Sequence, residues 1–522
     1  MFTPCGPYPS TGGICRLGTL VQGTLTLFGA GLVNRILGFF YRIVLAQRLG
    51  SQGMGLLGFA FPVLHVAITA STAGLPVAVS KIVAERAAVN PKGVRAVLRI
   101  ALRFVVLTSL AITALLLLSL QSVSRYLLAD PRAIYPLIAL VPMLTIVAIS
   151  SVLRGYFQGL QRMTPSAVGA VIEQIVRIVT ALWLIDRFLP RGIEWGAAAA
   201  AAGMVIGEAC GMVVLLITYY LRPGPAPSPA AYTAAASRSV LRELLAMALP
   251  ISFTRIIGSI TEFLDAAIIP RRLEAGGLSR DAATAFFGNL TGMAIPLLFF
   301  PTVITFALTS ALVPAVSDAF ARKNLALVRL RTGQAIYLAL VVSLPASVVF
   351  ALYGHTLGVL FYGQRQVGDL MVPLALAAPF VYLEASVSAV LRGLGLASLS
   401  MWNGLVGSGV RLVIVYTLTA MPSIGMRAVI LGISIDFAIS FALNYRSLAQ
   451  ATGYTANLRR LLGPPGIAAV GLAAGLLVMR SGTITLGASL WVSTIIAIGC
   501  GTVIYLAILL ALGGGWRQFT HP

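Results

Sequence analysis

Charge is scarce in this chain. Asp, Glu, Lys and Arg make up only 10% of its 522 residues, where soluble domains carry about 25%. Lysine is nearly absent (Lys81, Lys92 and Lys323), and histidine occurs three times. The four cysteines, Cys5, Cys15, Cys210 and Cys500, have no metal-ligand or redox spacing. Cys210 and Cys500 lie in apolar runs and read as packing residues. There is no Gly-rich phosphate loop, no zinc spacing and no Ser-His or His-Asp arrangement that would meet at one surface. These absences leave no catalytic residue to name, call for no cofactor or metal, and argue against an enzyme. Residues 1–16 lack an apolar stretch and predict a tail rather than a cleaved signal peptide. With no soluble domain to hold it, nucleic acid is excluded as a partner.

What the chain has instead is hydrophobic residues, 58% of the total, with a mean hydropathy of +0.94. Apolar runs this long are helical spans rather than barrel strands. The fold class expected is an all-α polytopic membrane protein with about fourteen transmembrane helices. Basic residues cluster in alternate links, around 81–99, 222–242, 322–331 and 446–460. The positive-inside rule then puts both termini in the cytoplasm of a plasma-membrane protein. The Pro/Ala/Ser-rich stretch from Arg222 to Ser239 has linker composition.

An internal repeat organises the spans. Ser151–Gly155 matches Ala389–Gly393; Ala78-Val79-Ser80 matches Ala315-Val316-Ser317; Asn34–Gly38 echoes Thr254–Gly258; Val176-Arg177 echoes Val410-Arg411. Four matches in the same order predict two pseudo-symmetric six-helix bundles enclosing a cleft, plus two C-terminal helices. The expected divisions are a tail (1–17), a first bundle (18–221), a cytoplasmic linker (222–240), a second bundle (241–450), two further spans (460–512) and a tail (513–522).

Charged residues inside the spans are the site candidates, because such residues face a bundle interior or a water-filled cavity. Arg35 and Arg42 are seven residues apart, so they share one helix face about 10 Å apart. Arg255 occupies the position matching Arg35, and Glu262 the position matching Arg42, with Asp265 one turn on. Arginine forks suit phosphate oxygens, so Arg35, Arg42 and Arg255 are expected to bind substrate. Arg35 and Arg255 are favoured for phosphate and Arg42–Glu262 for a gate. Glu262, Asp265, Glu208 and Asp436 are candidates for gating or ion coupling. Glu173 and Arg177, at i,i+4, read as a structural pair. Gly203, Gly207 and Gly211 predict a close helix–helix contact. Arg154 and Arg392 are expected to anchor at lipid phosphates, and His65 to be a satisfied polar residue. Gly74-Leu75-Pro76 and the Pro296–Pro301 stretch are candidate hinges.

Ala30–Gly50 (AGLVNRILGFFYRIVLAQRLG), Gly55–Pro62 (GLLGFAFP) and Thr72–Glu85 (TAGLPVAVSKIVAE) resemble the stage V sporulation protein B-like family. That family lies in the polysaccharide-transporter branch of the multidrug/oligosaccharidyl-lipid/polysaccharide flippase superfamily, which also holds the lipid II flippases. The resemblance implies a V-shaped pair of six-helix bundles, alternating access and an undecaprenyl-pyrophosphate-linked saccharide as cargo, a peptidoglycan precursor or other polysaccharide unit. Partners are then the lipid-linked oligosaccharide, membrane lipids and a coupling ion, Na+ or H+, with the chain acting as a monomer. The departure is Glu262, acidic where a strict anion clamp would repeat Arg42. Two alternatives stand beside this reading: a cation-coupled drug or metabolite antiporter of the same superfamily, and a membrane-embedded cell-wall transferase.

Overall fold

The computed structural model describes residues 13–72, 74–89, 93–221, 234–485 and 489–512. These residues are helices and short connections, with no strand among them. In chain order the helices are α1 (Gly13–Thr72), α2 (Leu75–Val89), α3 (Val94–Leu118), α4 (Ile134–Leu140), α5 (Met143–Gly159), α6 (Thr164–Phe188) and α7 (Ile193–Leu221). There follow α8 (Ala234–Ala275), α9 (Arg280–Phe287), α10 (Ile295–Phe299), α11 (Thr302–Ala321), α12 (Leu325–Tyr362), α13 (Arg365–Leu374) and α14 (Ala378–Gly393). The last four are α15 (Ala397–Leu418), α16 (Met426–Thr452), α17 (Leu458–Thr485) and α18 (Leu490–Ala511). Cys5, residues 222–233 of the expected linker and the 513–522 tail lie outside the described residues. The linker is shorter than expected from its composition: the alanine run Ala234-Ala235-Ala236, rich in the best helix former, already belongs to α8.

Among the described residues, ten helices are long and apolar enough to cross a membrane, or up to twelve when each of two bent pairs counts as one span. The bent pairs are α4–α5, at 41°, and α13–α14, at 60°. α8, which carries Arg255, Glu262 and Asp265, is not among the ten. The apolar stretch Gly29–Val89 is 61 residues long, about 90 Å if straight and roughly three times the hydrocarbon thickness. It is not straight. Two helices join across a kink at Gly50, where φ is 63° and ψ −173°, a conformation open essentially to glycine alone.

The internal repeat recurs as a repeated contact. Gly155 of α5 lies against the Pro76 carbonyl of α2, so close that a Cβ there would collide with it. Gly393, its counterpart on α14, lies in the same way against the Val313 carbonyl of α11. Pro76 and Val313 are themselves counterparts, two residues before Ala78 and Ala315. Gly203 and Gly207 of α7 press on Ala181, Arg177 and Glu173 of α6, which is the expected small-residue contact. Residues 280–321 are broken by a π-helical turn at Gly288–Ala294, ahead of the Pro296–Pro301 stretch, and again at Phe300-Pro301, at the end of that stretch.

At the end of the molecule that holds the Gly50 corner, the first and second halves of the chain close on each other. Gly55 lies against the Thr284 carbonyl, and Gly288 against the Ser51 carbonyl. Gln47 Nε2 donates to the Phe361 carbonyl at 2.7 Å, and Ser51 bonds Gln364. Asp130, 1% exposed, accepts from Arg132 Nη2 at 2.7 Å and from Thr284 Oγ1 at 3.1 Å, while Arg132 also reaches Asp281. Arg271 Nη2 donates to the Tyr126 carbonyl at 2.6 Å. Burial pushes the Asp130 carboxyl up, but hydrogen bonds and charge from Arg132, with Thr284, hold it below the usual carboxylate range. A depressed carboxyl contributes stability that is in place above its unfolded pKa and is lost as pH falls through the folded one, so this seal is intact at neutral pH.

The backbone contact predicts the behaviour of a single methyl group. Gly288→Ala places a Cβ on the Ser51 carbonyl and is expected to cost about 1–3 kcal/mol, read as a lower apparent melting temperature in detergent. Unchanged melting would mean that the two halves are not packed backbone to backbone here.

Candidate functional site

Between the halves lies a cavity of about 550 Å³. Arg42 and His65 both line it, although on a straight α1 they would stand about 35 Å apart. The Gly50 kink folds them onto one chamber. Helices α6, α7, α8, α15 and α16 and the 288–294 turn complete the walls.

Two ion networks stand in those walls. In the first half, Arg154 of α5 donates to Glu173 of α6 and Glu208 of α7, each at 2.9 Å. Arg177 pairs with Glu173 and lies 3.9 Å from Glu208, which also accepts from Ser150 Oγ at 2.6 Å. In the second half, Arg411 of α15 pairs with Asp265 of α8 at 2.8 Å and with Asp436 of α16 at 3.3 Å. Ser440 Oγ donates to Asp436 at 3.2 Å. Arg177 and Arg411 are repeat counterparts, and each meets the acid of the next helix. The second acid differs in origin. Glu173 comes from the arginine's own helix, whereas its counterpart four residues before Arg411 is Gly407, packed against Asp436, and Asp265 supplies the charge from α8. An arginine inside a bundle needs such partners, because an uncompensated buried charge is costly.

Two contacts join the halves at the chamber and beside it. His65 Nδ1 lies 3.1 Å from Glu262 Oε2, and the hydroxyls of Thr69 and Ser259 are 3.2 Å apart. Further along the same seam, Gly74 N donates to Ser252 Oγ at 2.8 Å.

Of the residues singled out in the sequence, Arg42, Glu262 and Asp265 line the chamber. Glu208 and Asp436 stand one layer behind, each held by an arginine, and Glu173–Arg177 is an ion pair. Arg35 and Arg255 are exposed and lie outside the lining. Two expectations need correction. Among the described residues, Glu262 meets His65 rather than Arg42. Arg154 does not reach for lipid; it bridges two carboxylates inside the first half. Arg42 is left with tyrosines as its ionisable neighbours, Tyr41 and Tyr362, and no carboxylate within ion-pair distance among the described residues. The place of Arg411 was visible only as the repeat match to Arg177. The His65–Glu262 contact had no signal in the sequence, because it depends on how the Gly50 corner folds.

The sequence matches the polysaccharide biosynthesis protein family over residues 20–320. The chain belongs to that family. It is 36% identical over 420 residues to Stage V sporulation protein B of Bacillus subtilis (strain 168), covering 80% of each chain. It is 25% identical over 465 residues to Lipid II flippase MurJ of the same organism, covering 84% of each. A solved structure of Lipid II flippase MurJ in an inward closed conformation superposes with a TM-score of 0.69 at 14% identity, over 92% of this chain and 97% of that one. The family places the protein among multi-pass membrane transporters and flippases rather than enzymes.

The second network predicts an asymmetric response. Arg411→Met leaves Asp265 and Asp436 facing each other with no cation and is expected to lose about 3–5 kcal/mol, seen as a fall in apparent melting temperature. Adding Asp265→Asn and Asp436→Asn should recover most of the loss. A triple variant as unstable as the single one would show that the arginine's packing, not its charge, matters.

Proposed function

We propose that the protein moves a saccharide linked to a polyprenyl pyrophosphate across the cytoplasmic membrane by alternating access, with the lipid tail left in the bilayer. The carrying observation is Arg42, a guanidinium in the chamber wall with no carboxylate partner. Arg177 and Arg411, the other lining arginines, are already paired. A planar cation with its donors unspent suits phosphate oxygens. Membership of the polysaccharide biosynthesis protein family, the likeness to Lipid II flippase MurJ and the likeness to Stage V sporulation protein B support a lipid-linked sugar as cargo, a peptidoglycan precursor or another polysaccharide unit, in spore-cortex or cell-wall synthesis.

The fourteen-span reading supports the same picture. It follows when the two bent pairs each count as one span, the stretch through Gly50 counts as two, and α8 is added as a span made polar by its function. Both termini then lie in the cytoplasm and the sealed corner lies outside, while the seam from His65–Glu262 through Gly74–Ser252 joins the halves on the cytoplasmic side of the chamber as well. Two six-helix bundles and two extra helices complete that reading. Cation antiport is the weaker reading, because Asp265 and Asp436 are both already paired with Arg411.

Flux of a labelled lipid-linked saccharide in proteoliposomes tests the proposal. Arg42→Ala is expected to slow flux about ten- to a hundredfold, the worth of one charge-assisted hydrogen-bonded contact of ~1.5–3 kcal/mol. Arg35→Ala and Arg255→Ala, outside the lining, are expected to act more weakly. Wild-type flux in Arg42→Ala would remove the phosphate site from the chamber.

A further inference from the structure

The His65–Glu262 contact is more than a polar pair satisfied in place. Its two side chains come from opposite halves of the chain and are 52% and 63% exposed to the chamber, so water and ligand both reach them. An ionised carboxylate can only accept hydrogen bonds. The proton of a neutral imidazole therefore sits on Nδ1, donated to Glu262, and Nε2 is the nitrogen that takes up a second proton. Histidine in water titrates near pH 6.5, within the range where a membrane protein meets a proton gradient.

The charge of the chamber gives that proton a role. Arg177 and Arg154 are balanced by Glu173 and Glu208. Arg411 sits between two carboxylates and leaves one negative charge over. Arg42 and Glu262 cancel. With His65 neutral the chamber carries one negative charge; with imidazolium it is neutral. The groups facing the pair from each packed element are Tyr41 and Arg42 on the first segment of α1, Arg177 on α6, Asp265 beside Glu262 on α8, and Arg411 on α15 backed by Asp436 on α16. Lining residues from α7 and the 288–294 turn are uncharged. A pyrophosphate diester brings negative charge on both phosphates into this space. Electrostatics favours its entry together with a cation, and His65 is a lining side chain of the type whose charge changes near neutral pH.

We infer that His65, oriented by Glu262, is a proton-binding site loaded together with the anionic head group, so that cargo and proton occupy the chamber at once. The inference rests on the reading of Arg42 as the phosphate receptor. It extends that reading by making anion affinity pH-dependent and by tying the protonated residue to the seam between the halves.

The test is calorimetry on the full-length protein in nanodiscs, with a short-chain polyprenyl-pyrophosphoryl-N-acetylglucosamine as probe. Both phosphates of this probe are fully ionised diesters that neither gain nor lose a proton between pH 6 and pH 8. Titrations at pH 7.5 in two buffers of different ionisation enthalpy give the protons taken up per probe bound. The wild type is expected to take up more than half a proton, approaching one, and its affinity to fall up to about tenfold per pH unit above the histidine's ordinary range. His65→Asn and His65→Gln, both polar and chamber-facing, should bind the probe more weakly, with no proton uptake and no pH dependence across pH 6–8. Wild-type binding without proton uptake, or uptake persisting in both His65 variants, overturns the proton site and leaves Arg42 standing. Equal binding by Arg42→Ala and wild type overturns the phosphate reading, and the proton site with it.

Discussion

Everything inside this protein is arranged around one constraint: a charge within a helical bundle in hydrocarbon must be met by another charge or by water. The two arginines that repeat symmetry places on α6 and α15 are each met by two carboxylates. Those pairings set which helices lie side by side, since α6 and α7 must stay close enough for Glu208 to reach Arg177, and α8, α15 and α16 close enough to share Arg411. They also define the site by exclusion. Once the wall arginines are spent, the lining arginine still without a carboxylate among the described residues is Arg42, and the contact between ionisable groups that joins the two halves at the chamber is His65 with Glu262.

Much of this was legible from residue order alone. Long apolar runs give helices that cross a membrane because no other structure satisfies the backbone there, and four short matches revealed the repeat that reappears as Gly155 on Pro76 and Gly393 on Val313. Charged residues within spans are expensive enough to be expected inward, and Arg42, Glu262 and Asp265 do line the chamber, whereas Arg35 and Arg255 do not. What escaped was pairing. Arg154 looked like a helix-end anchor because its position in sequence is near a link, but its partners lie 19 and 54 residues away. The His65–Glu262 contact joins residues 197 apart and follows from a single backbone angle at Gly50. Helix period and composition carry no information about contacts of that range.

The repeat is imperfect in an informative way. Glu173 has no acidic counterpart in its own position, where Gly407 lets α15 and α16 approach closely. The missing negative charge appears on α8 instead, as Asp265. The second half thereby keeps a carboxylate pair around its arginine, the three charges standing on three different helices, and its chamber wall is acidic where the first half offers Arg42. The chamber thus carries Arg42 on one wall and Glu262 and Asp265 on the other, set among largely apolar residues.

The seal near the Gly50 corner has a consequence of another kind. Its bonds, from Arg132 to Asp281, Arg271 to the Tyr126 carbonyl and Gln47 to the Phe361 carbonyl, join groups that are exposed or half-exposed at the rim. Each would exchange its partner for water on separation, and such exchanges are nearly balanced in free energy. Closure at this end is therefore a low-cost stopper rather than a lock. It holds the halves together by shape, through glycines that let backbones touch, while its polar rim lets them part without leaving any donor or acceptor stranded.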